Sequence, residues 1–598
     1  MRMHFKMLQP KVFIHVLLIL SLTACATAPP KAPEIQESGD YTYVKEYMTW
    51  LIQKEMKTKQ IVGLSVALVD DQQIVWQQGF GWADRENKIA ATPQTVYRAG
   101  SISKVFNAMA VMKLVEAGKM DIDRPLSTYL PEFTINSRFG DTDGITPRTI
   151  MTHHSGLPGH WLDGTCGKQP MPFTRLVQAI KDEYVAYPPN MVMSYSNIAV
   201  TLLGHAVQRV SGQPYARLLD QSLLKPMGMN DSRFEIGITD SMAAKAYDEA
   251  GKETIEYPLG DIPAGGLNTT AVDLAHLAML VNNHGSMAGR RILDPQTLSR
   301  MFTPQNEDVP LDCGHKIGLA WGINDKVLNG WERVCRHGGA TMAHRATFIV
   351  APESKIGVVV LANSASTNTQ KIAHKMLQTA WEAKTGKMLA DAKETKTLAA
   401  QADTASDFKG TYASLLGKVD ISEKSPHRYM VRSSERNFNL NREDDGRYHL
   451  SYRLWGFIRH NLDGLGQAKL KTADISGNHV IIADFGLHRS LFGVRVESRP
   501  IPEAWQKRLG VYQLLNPPEA DIFEIKRFLL KIEDDYLVEE ITGSDNDTFT
   551  KILRPVNATE AIVEGIGRNL GETVRIVNDD KGNEILTFSG MRFKPVDG

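Results

Sequence analysis

The chain has 598 residues, 42% of them hydrophobic and 23% charged, long enough to bury several cores and to form more than one domain. Its 68 basic and 68 acidic residues balance. That balance excludes a nucleic-acid binder or a polybasic membrane-surface protein, since both need a local excess of positive charge.

At the start, Arg2, Lys6 and Lys11 form a basic segment and Val12 to Leu20 an apolar one too short to span a bilayer; Leu22-Thr23-Ala24-Cys25 follows. This resembles the bacterial lipoprotein signal, in which small residues precede a cysteine that is lipidated and becomes the first residue of the mature chain. An ordinary secretory leader with an incidental cysteine is the alternative. The resemblance implies residues 1–25 as a signal peptide, Cys25 as the lipidation site, and an exported protein held by its lipid on the periplasmic face of the bacterial envelope, at the outer membrane. Residues 26–40, rich in Ala and Pro, read as a tether. Beyond Cys25 remain Cys166, Cys313 and Cys335, an odd number at no zinc spacing, with Cys313 to Cys335 as the candidate disulfide.

A helix with an aromatic face (Tyr43, Tyr47, Trp50, Leu51) comes next, then two strands, Gly63 to Val69 and Gln73 to Phe80, joined at Asp70-Asp71. In Gly100-Ser101-Ile102-Ser103-Lys104 a serine stands three positions before a lysine where an apolar run at helical spacing begins. Ser101 is thus expected at a helix N-terminus with Lys104 one turn on, a lysine desolvated among Val, Phe and Met and able to take its proton. A serine cap with a solvated lysine is the plain alternative. Chance supplies S-x-x-K about once or twice in a chain of this size, and a second copy is present, Ser222-Leu223-Leu224-Lys225, cut off by Pro226.

His153-His154-Ser155-Gly156-Leu157-Pro158 reads as a turn-rich loop and not a metal site, because no third ligand is suitably spaced. Tyr195-Ser196-Asn197 precedes a helical run; a phenol there can relay protons, an amide can bind a carbonyl, and a tyrosine merely packed under a helix start is the alternative. Pro263 to Leu274 is a Gly-rich turn into a capped helix, without the lysine of a phosphate loop. Strand patterns return at Gly318 to Ile323, Arg345 to Val350 and Gly357 to Leu361, and Thr367 to Ala383 closes as a helix. Between the first two lies His337-Gly338-Gly339-Ala340, whose glycines let a substrate approach a strand edge; a glycine bulge beside a solvent-facing histidine is the alternative.

In this order and at these separations the motifs resemble the penicillin-recognising serine hydrolases: class C β-lactamases, low-molecular-weight DD-peptidases, D-aminopeptidases and the CubicO group. Pro263-Ala264-Gly265-Gly266-Leu267 and Leu361-Ala362-Asn363-Ser364 add to the likeness. The resemblance spans residues 41–385 and implies a β-lactamase/transpeptidase-like α/β domain, an antiparallel sheet flanked by helices with a helical insertion. It implies Ser101 as the nucleophile that forms an acyl-enzyme, Lys104 as its base and Tyr195 as the proton relay. Asn197 would hold Lys104 and the substrate amide, and the N–H groups of Ser101 and Ala340 would form the oxyanion hole. His337-Gly338-Gly339 replaces the Lys-Thr-Gly element of the β-lactamases, and a partly charged, hydrogen-bond-donating histidine there favours the peptidase and esterase relatives. No cofactor or metal is called for.

Residues 386–405 read as a linker. After it the pattern becomes short and alternating. Phe408 to Tyr412 recurs loosely at Arg508 to Tyr512, and Leu491 to Val496 at Met591 to Val596, which points to two tandem β-barrels, 406–500 and 501–598. D-aminopeptidases of this group carry two lipocalin-like barrels, one of which narrows the active site. The expected function is an envelope-anchored serine hydrolase of a small peptide, amide or ester substrate, D-configured substrates included. A β-lactamase or DD-carboxypeptidase is the enzymatic alternative, and a peptidoglycan-fragment binding or scaffold protein the non-catalytic one.

Overall fold

The structure, a computed structural model, describes residues 28–32, 38–389, 407–433, 436–443, 446–454, 458–460, 468–517, 525–543 and 547–596. Cys25 and its signal, and most of the 386–405 linker, lie outside the described residues.

Eight strands form one antiparallel sheet in the order Lys316–Ile317, Gly322–Asn324, Val334–Ala340, Arg345–Ala351, Ile356–Ala362, Gly63–Asp70, Gln73–Asp84, Ile89–Ala90. The chain's first and last hydrolase strands are therefore neighbours, Leu64 opposite Ala362 and Asp70 opposite Ile356. The central strand reads as an unbroken apolar run because both of its faces are covered. Leu64, Val66 and Leu68 meet helices Thr42–Lys59 and Thr369–Thr385 through Val44, Met48, Met376 and Leu377. Ala67 and Val69 face the other way, into the larger core of the helical insertion with Phe106, Leu203 and Leu277. Side chains alternate across a strand, so such a strand needs an apolar residue at nearly every position. This is the β-lactamase/transpeptidase-like domain expected from the sequence.

Three details differ from the expectations. The run from Gly318 to Ile323 is not one strand: it turns at Gly318–Trp321 between two short ones. The segment carrying His337 is itself a full strand, Val334–Ala340. The candidate disulfide is not formed, and Cys166, Cys313 and Cys335 are free thiols. Cys335 is enclosed in the hydrolase core, whereas Cys313 packs in a separate cluster with Leu311 and Val480.

Beyond residue 406 the chain makes two closed eight-stranded barrels. In the first, strands from Gly410–Ser414 to Arg489–Val496 close into a ring, with Thr411 opposite Val496. In the second, strands from Gly510–Leu514 to Met591–Pro595 do the same, with Tyr512 opposite Pro595. The hundred-residue echo in the sequence thus falls on the strand pair that closes each barrel, and Tyr412 and Tyr512 fill corresponding places in the two interiors. Ala413 of the first barrel packs on Val538 and Ile552 of the second. Ile566 of the second joins Tyr187 and Val192 of the hydrolase domain and Val480 of the first in one apolar cluster.

Buried histidines make the stability of this assembly pH-dependent. His374, on helix Thr369–Thr385, is only 7% exposed, and burial, reinforced by Arg336 and His488, pushes its pKa down to about 4. Its folded pKa lies below the unfolded value of about 6.5. Unfolded chains therefore bind more protons between pH 6.5 and 4, and this residue's contribution is lost as pH falls through that window. At the acid end the loss is on the order of 3 kcal/mol. In His374→Gln the fall in melting temperature from pH 7 to pH 4.5 is expected to be smaller than in the parent, read by calorimetry; an unchanged fall contradicts the assignment.

Candidate active site

Ser101 stands on the turn between strand Tyr97–Gly100 and helix Ser103–Glu116. Two anchors fix that turn. Ser103 Oγ donates to the Gly100 carbonyl at 2.6 Å and accepts from Leu267 N at 3.0 Å. Behind it, the buried Arg98 donates to the carbonyls of Tyr257 (2.7 Å) and Ile236 (2.9 Å), and its own N–H donates to His344 Nδ1 at 2.8 Å.

Lys104 is 2% exposed. Its Nζ lies 3.2 Å from Ser101 Oγ, donates to the Ala264 carbonyl at 2.8 Å, and sits 4.9 Å from the centre of the Tyr195 ring. A lysine one turn beyond a serine reaches back over the preceding turn, since helical side chains lean toward the N-terminus. Asp261 lies close enough to Lys104 and Arg98 to feel both, although burial is the larger influence and pushes its carboxyl pKa up. The second S-x-x-K is unlike this one. Ser222 lies inside a helical stretch, and Lys225 points outward to pair with Asp220.

Tyr195 comes from the loop before helix Asn197–Ser211, which Ser196 caps through Ala199 N. The His153 loop braces it: Ser194 N donates to the His153 carbonyl, Ser196 N to His153 Nδ1, and Ser196 Oγ to the Pro158 carbonyl. The His153 ring lies against the Tyr195 ring at 4.1 Å. Burial, with Lys104 and His337 adding to it, holds the His153 pKa well down, so this is a neutral packing face. The paired histidines thus serve the site as architecture, His154 bonding Asp312 at 2.8 Å.

On the far side of the serine, strand Val334–Ala340 comes very close. A Cβ at Gly339 would lie 1.9 Å from the Ala99 carbonyl oxygen and 3.3 Å from Ser101 N; one at Gly100 would lie 2.9 Å from Ala340 N. The two N–H groups expected to hold an oxyanion therefore belong to segments in direct contact. His337 stands in the same strand, half-exposed, with Nδ1 2.6 Å from the Gly338 carbonyl. A carbonyl can only accept, so Nδ1 carries the proton and Nε2 is a bare acceptor. Burial, then Lys104, pushes the His337 pKa to about 4. A pKa that low favours the neutral ring near pH 7, with Nε2 as an acceptor, over the partial charge expected from the sequence.

Asn197 is also placed differently from expectation. Among the described residues no hydrogen bond joins it to Lys104; its Nδ2 is 3.3 Å from His160 Nδ1, and its Oδ1 is buried without a partner. His160 in turn lies 2.7 Å from an Arg568 guanidinium nitrogen, and that guanidinium sits 4.8 Å from the centre of the Tyr195 ring. Arg568 belongs to the second barrel. Its loop, between strands Glu560–Val563 and Thr573–Asn578, is seated on Tyr187, whose hydroxyl bonds the Gly565 and Gly567 carbonyls and receives the Gly567 N–H. Glu572 pins the other end, accepting from Gly159 N at 2.9 Å. His160 and Arg568 carry no sequence signal of their own; the family resemblance points to a barrel near the site without saying which loop. Among the described residues no cluster of three or more His, Cys, Asp or Glu is arranged to hold a metal.

Comparisons with known proteins bear on the family and the fold. A family described as Beta-lactamase matches residues 49–380, more than half of the chain. Protein flp of Staphylococcus aureus is 24% identical over 345 residues, a match that takes in 55% of this chain and 67% of that protein. Among solved structures, the crystal structure of SurE is 18% identical with a TM-score of 0.55, covering 76% of this chain and 100% of that one. The octameric penicillin-binding protein homologue from Pyrococcus abyssi is 23% identical with a TM-score of 0.51, covering 75% and 99%. At such identity these two structures speak for the fold alone. Over most of its first 385 residues, in sequence and in fold, the chain belongs to the β-lactamase family, whose members are serine hydrolases.

Proposed function

We propose that this chain is an envelope-anchored hydrolase that cleaves an amide or ester through an acyl-enzyme on Ser101, as a peptidase or esterase of small or D-configured substrates. One observation carries the reading: a buried lysine nitrogen 3.2 Å from the hydroxyl of a partly exposed serine at the head of a helix. Ser101 Oγ attacks the substrate carbonyl while its proton passes to Lys104 Nζ. The oxyanion that forms is held by the N–H groups of Ser101 and Ala340. Tyr195, its ring over Lys104, carries the proton on to the leaving amine or alcohol as the carbonyl collapses to the ester. Water then enters on the same face, gives a proton back through Tyr195 and Lys104, and frees Ser101. The neutral His337, with its bare Nε2, is suited to an N–H or O–H of the substrate and poorly suited to a carboxylate. The Arg568 loop at the rim favours short substrates.

A second reading, β-lactamase or DD-carboxypeptidase, draws on Arg568 itself, a cation beside Tyr195 able to hold a substrate carboxylate. Treating the full chain with a fluorophosphonate and, separately, a fluorescent penicillin distinguishes these readings. Phosphonate label on Ser101, found by mass spectrometry, without penicillin label is the expected result; label from both supports the second reading. A folded protein labelled by neither reagent removes the enzymatic readings and leaves the peptidoglycan-fragment binding or scaffold role. Anchoring is tested by metabolic palmitate labelling, expected in the parent and lost in Cys25→Ser.

A further inference from the structure

The contacts of His160 contain a conflict of protons. Its Nδ1 faces an amide nitrogen of Asn197 at 3.3 Å and its Nε2 faces a guanidinium nitrogen of Arg568 at 2.7 Å. Both neighbours are donors only, and a neutral imidazole has one accepting nitrogen, not two. The shorter contact fixes the answer at one end: Arg568 donates to Nε2, so the ring proton sits on Nδ1. At the other end an N–H then points at an NH2 group, while on the same side chain Oδ1 is buried with no partner. Exchanging the two ends of the Asn197 amide lets Oδ1 accept from His160 Nδ1–H and moves the NH2 group into the place that has no protein partner, where a substrate oxygen would be its acceptor. Oxygen and nitrogen of an amide are told apart by such partners. Burial, with Arg568 and Lys104 beside it, holds the His160 pKa at about 3, so the ring stays neutral at working pH.

We propose that Arg568 of the second barrel is a positioning residue of the hydrolase site: by donating to His160 Nε2 it sets the His160 tautomer, which holds Asn197 with Oδ1 turned to the ring and its NH2 offered as a donor to the substrate's acyl carbonyl. The second barrel is then a working part of the active site, linked to it by one hydrogen-bonded chain from Arg568 through His160 to Asn197. The chain spans 408 positions of sequence between its first two members. The docking that supports it is extensive: the Tyr187 contacts, the Glu572 bond to Gly159, and the packing of Leu162 against the barrel's core. Arg568 itself is exposed at the loop tip, so replacing it leaves the barrel's interior intact.

The inference rests on Ser101 being the acylated serine, and the experiment separates the two claims. In the full chain, Arg568→Met is expected to lower kcat/KM for a small ester about tenfold, mainly through kcat, since a misaligned donor costs transition-state contact more than ground-state binding. Arg568→Lys, which keeps one N–H donor, should recover most of the loss. Asn197→Asp keeps the acceptor toward His160 but loses the donor, and should be as impaired as Asn197→Ala. Adding Arg568→Met to Asn197→Ala should change the rate by less than about twofold, as groups acting in series do. Wild-type protein labelled at Ser101, with the two losses multiplying or with Asn197→Asp active, overturns the inference alone. Wild-type protein that takes no phosphonate overturns it together with the acyl-enzyme reading. Melting temperatures of all variants are read alongside, and those of the Arg568 variants should match the parent.

Discussion

Lys104→Met is expected to slow fluorophosphonate labelling of Ser101 about a thousandfold, within the range that a positioned general base contributes. Methionine matches the lysine stem in length and suits a buried site against the Tyr195 ring, so packing is kept while the amine goes. The fold should hold: removing a buried amine spares its desolvation, and Ser101 Oγ and the Ala264 carbonyl are the partners that lose a bond. Lys104→Arg should not rescue the rate. A guanidinium cannot give up its proton near neutral pH, so it restores charge without restoring a base. This pair of variants separates a lysine that works as a base from one that only neutralises charge. A labelling rate within fivefold of the parent in Lys104→Met, with the melting temperature unchanged, would remove Lys104 from the mechanism. Ser101→Ala is the companion and should take no label.

Ser101, Lys104 and Tyr195 were legible because each signal is local: a serine and lysine three apart at the start of an apolar helix, and a tyrosine just before a serine that caps the next helix. The sheet was legible for a similar reason, as strands covered on both faces are written in continuous runs such as Gly63–Asp70. The barrels announced themselves through a spacing, since the first and last strands of each must meet to close it. What stayed hidden depends on tertiary placement. The lowered pKa of His337 comes first from burial and then from Lys104, two influences that depend on the fold. The orientation of Asn197 depends on His160 and Arg568, and Arg568 arrives on a loop whose only local signature is glycine. The expected bond from Asn197 to Lys104 is absent among the described residues: the lysine bonds Ser101 Oγ and the Ala264 carbonyl, and Asn197 lies against His160. Cys313 and Cys335 share a plausible spacing in sequence but belong to different cores, and only the fold reveals that.

Gly339→Ala is expected to lower turnover by about a hundredfold to a thousandfold, the range seen when one oxyanion donor is lost. The new methyl would lie 1.9 Å from the Ala99 carbonyl oxygen and 2.9 Å from its carbon. Both are backbone atoms, so no side-chain rotation relieves the clash. Strand Val334–Ala340 is held along its other edge by six paired residues, Cys335 opposite Val350 through Ala340 opposite Arg345, so relief has to come at the end nearest the serine. There the strand and the Ser101 turn part by an ångström or so, and with them the N–H groups of Ser101 and Ala340. Overpacking of this kind costs about 1–3 kcal/mol, enough to show in the melting temperature without unfolding the chain. Gly338→Ala provides the contrast for stability: its Cβ meets nothing nearer than the Ala346 carbonyl oxygen at 3.8 Å, so its melting temperature should stay near the parent's. Because Ser101 and Lys104 remain in contact in Gly339→Ala, the serine should still lose its proton, and the damage should fall on the step in which negative charge appears on the carbonyl oxygen. The rate of acylation by a carbonyl substrate, measured beside the extent of folding, is the readout. A Gly339→Ala enzyme that acylates at the parent's rate would show that the oxyanion is held elsewhere than between Ser101 and Ala340.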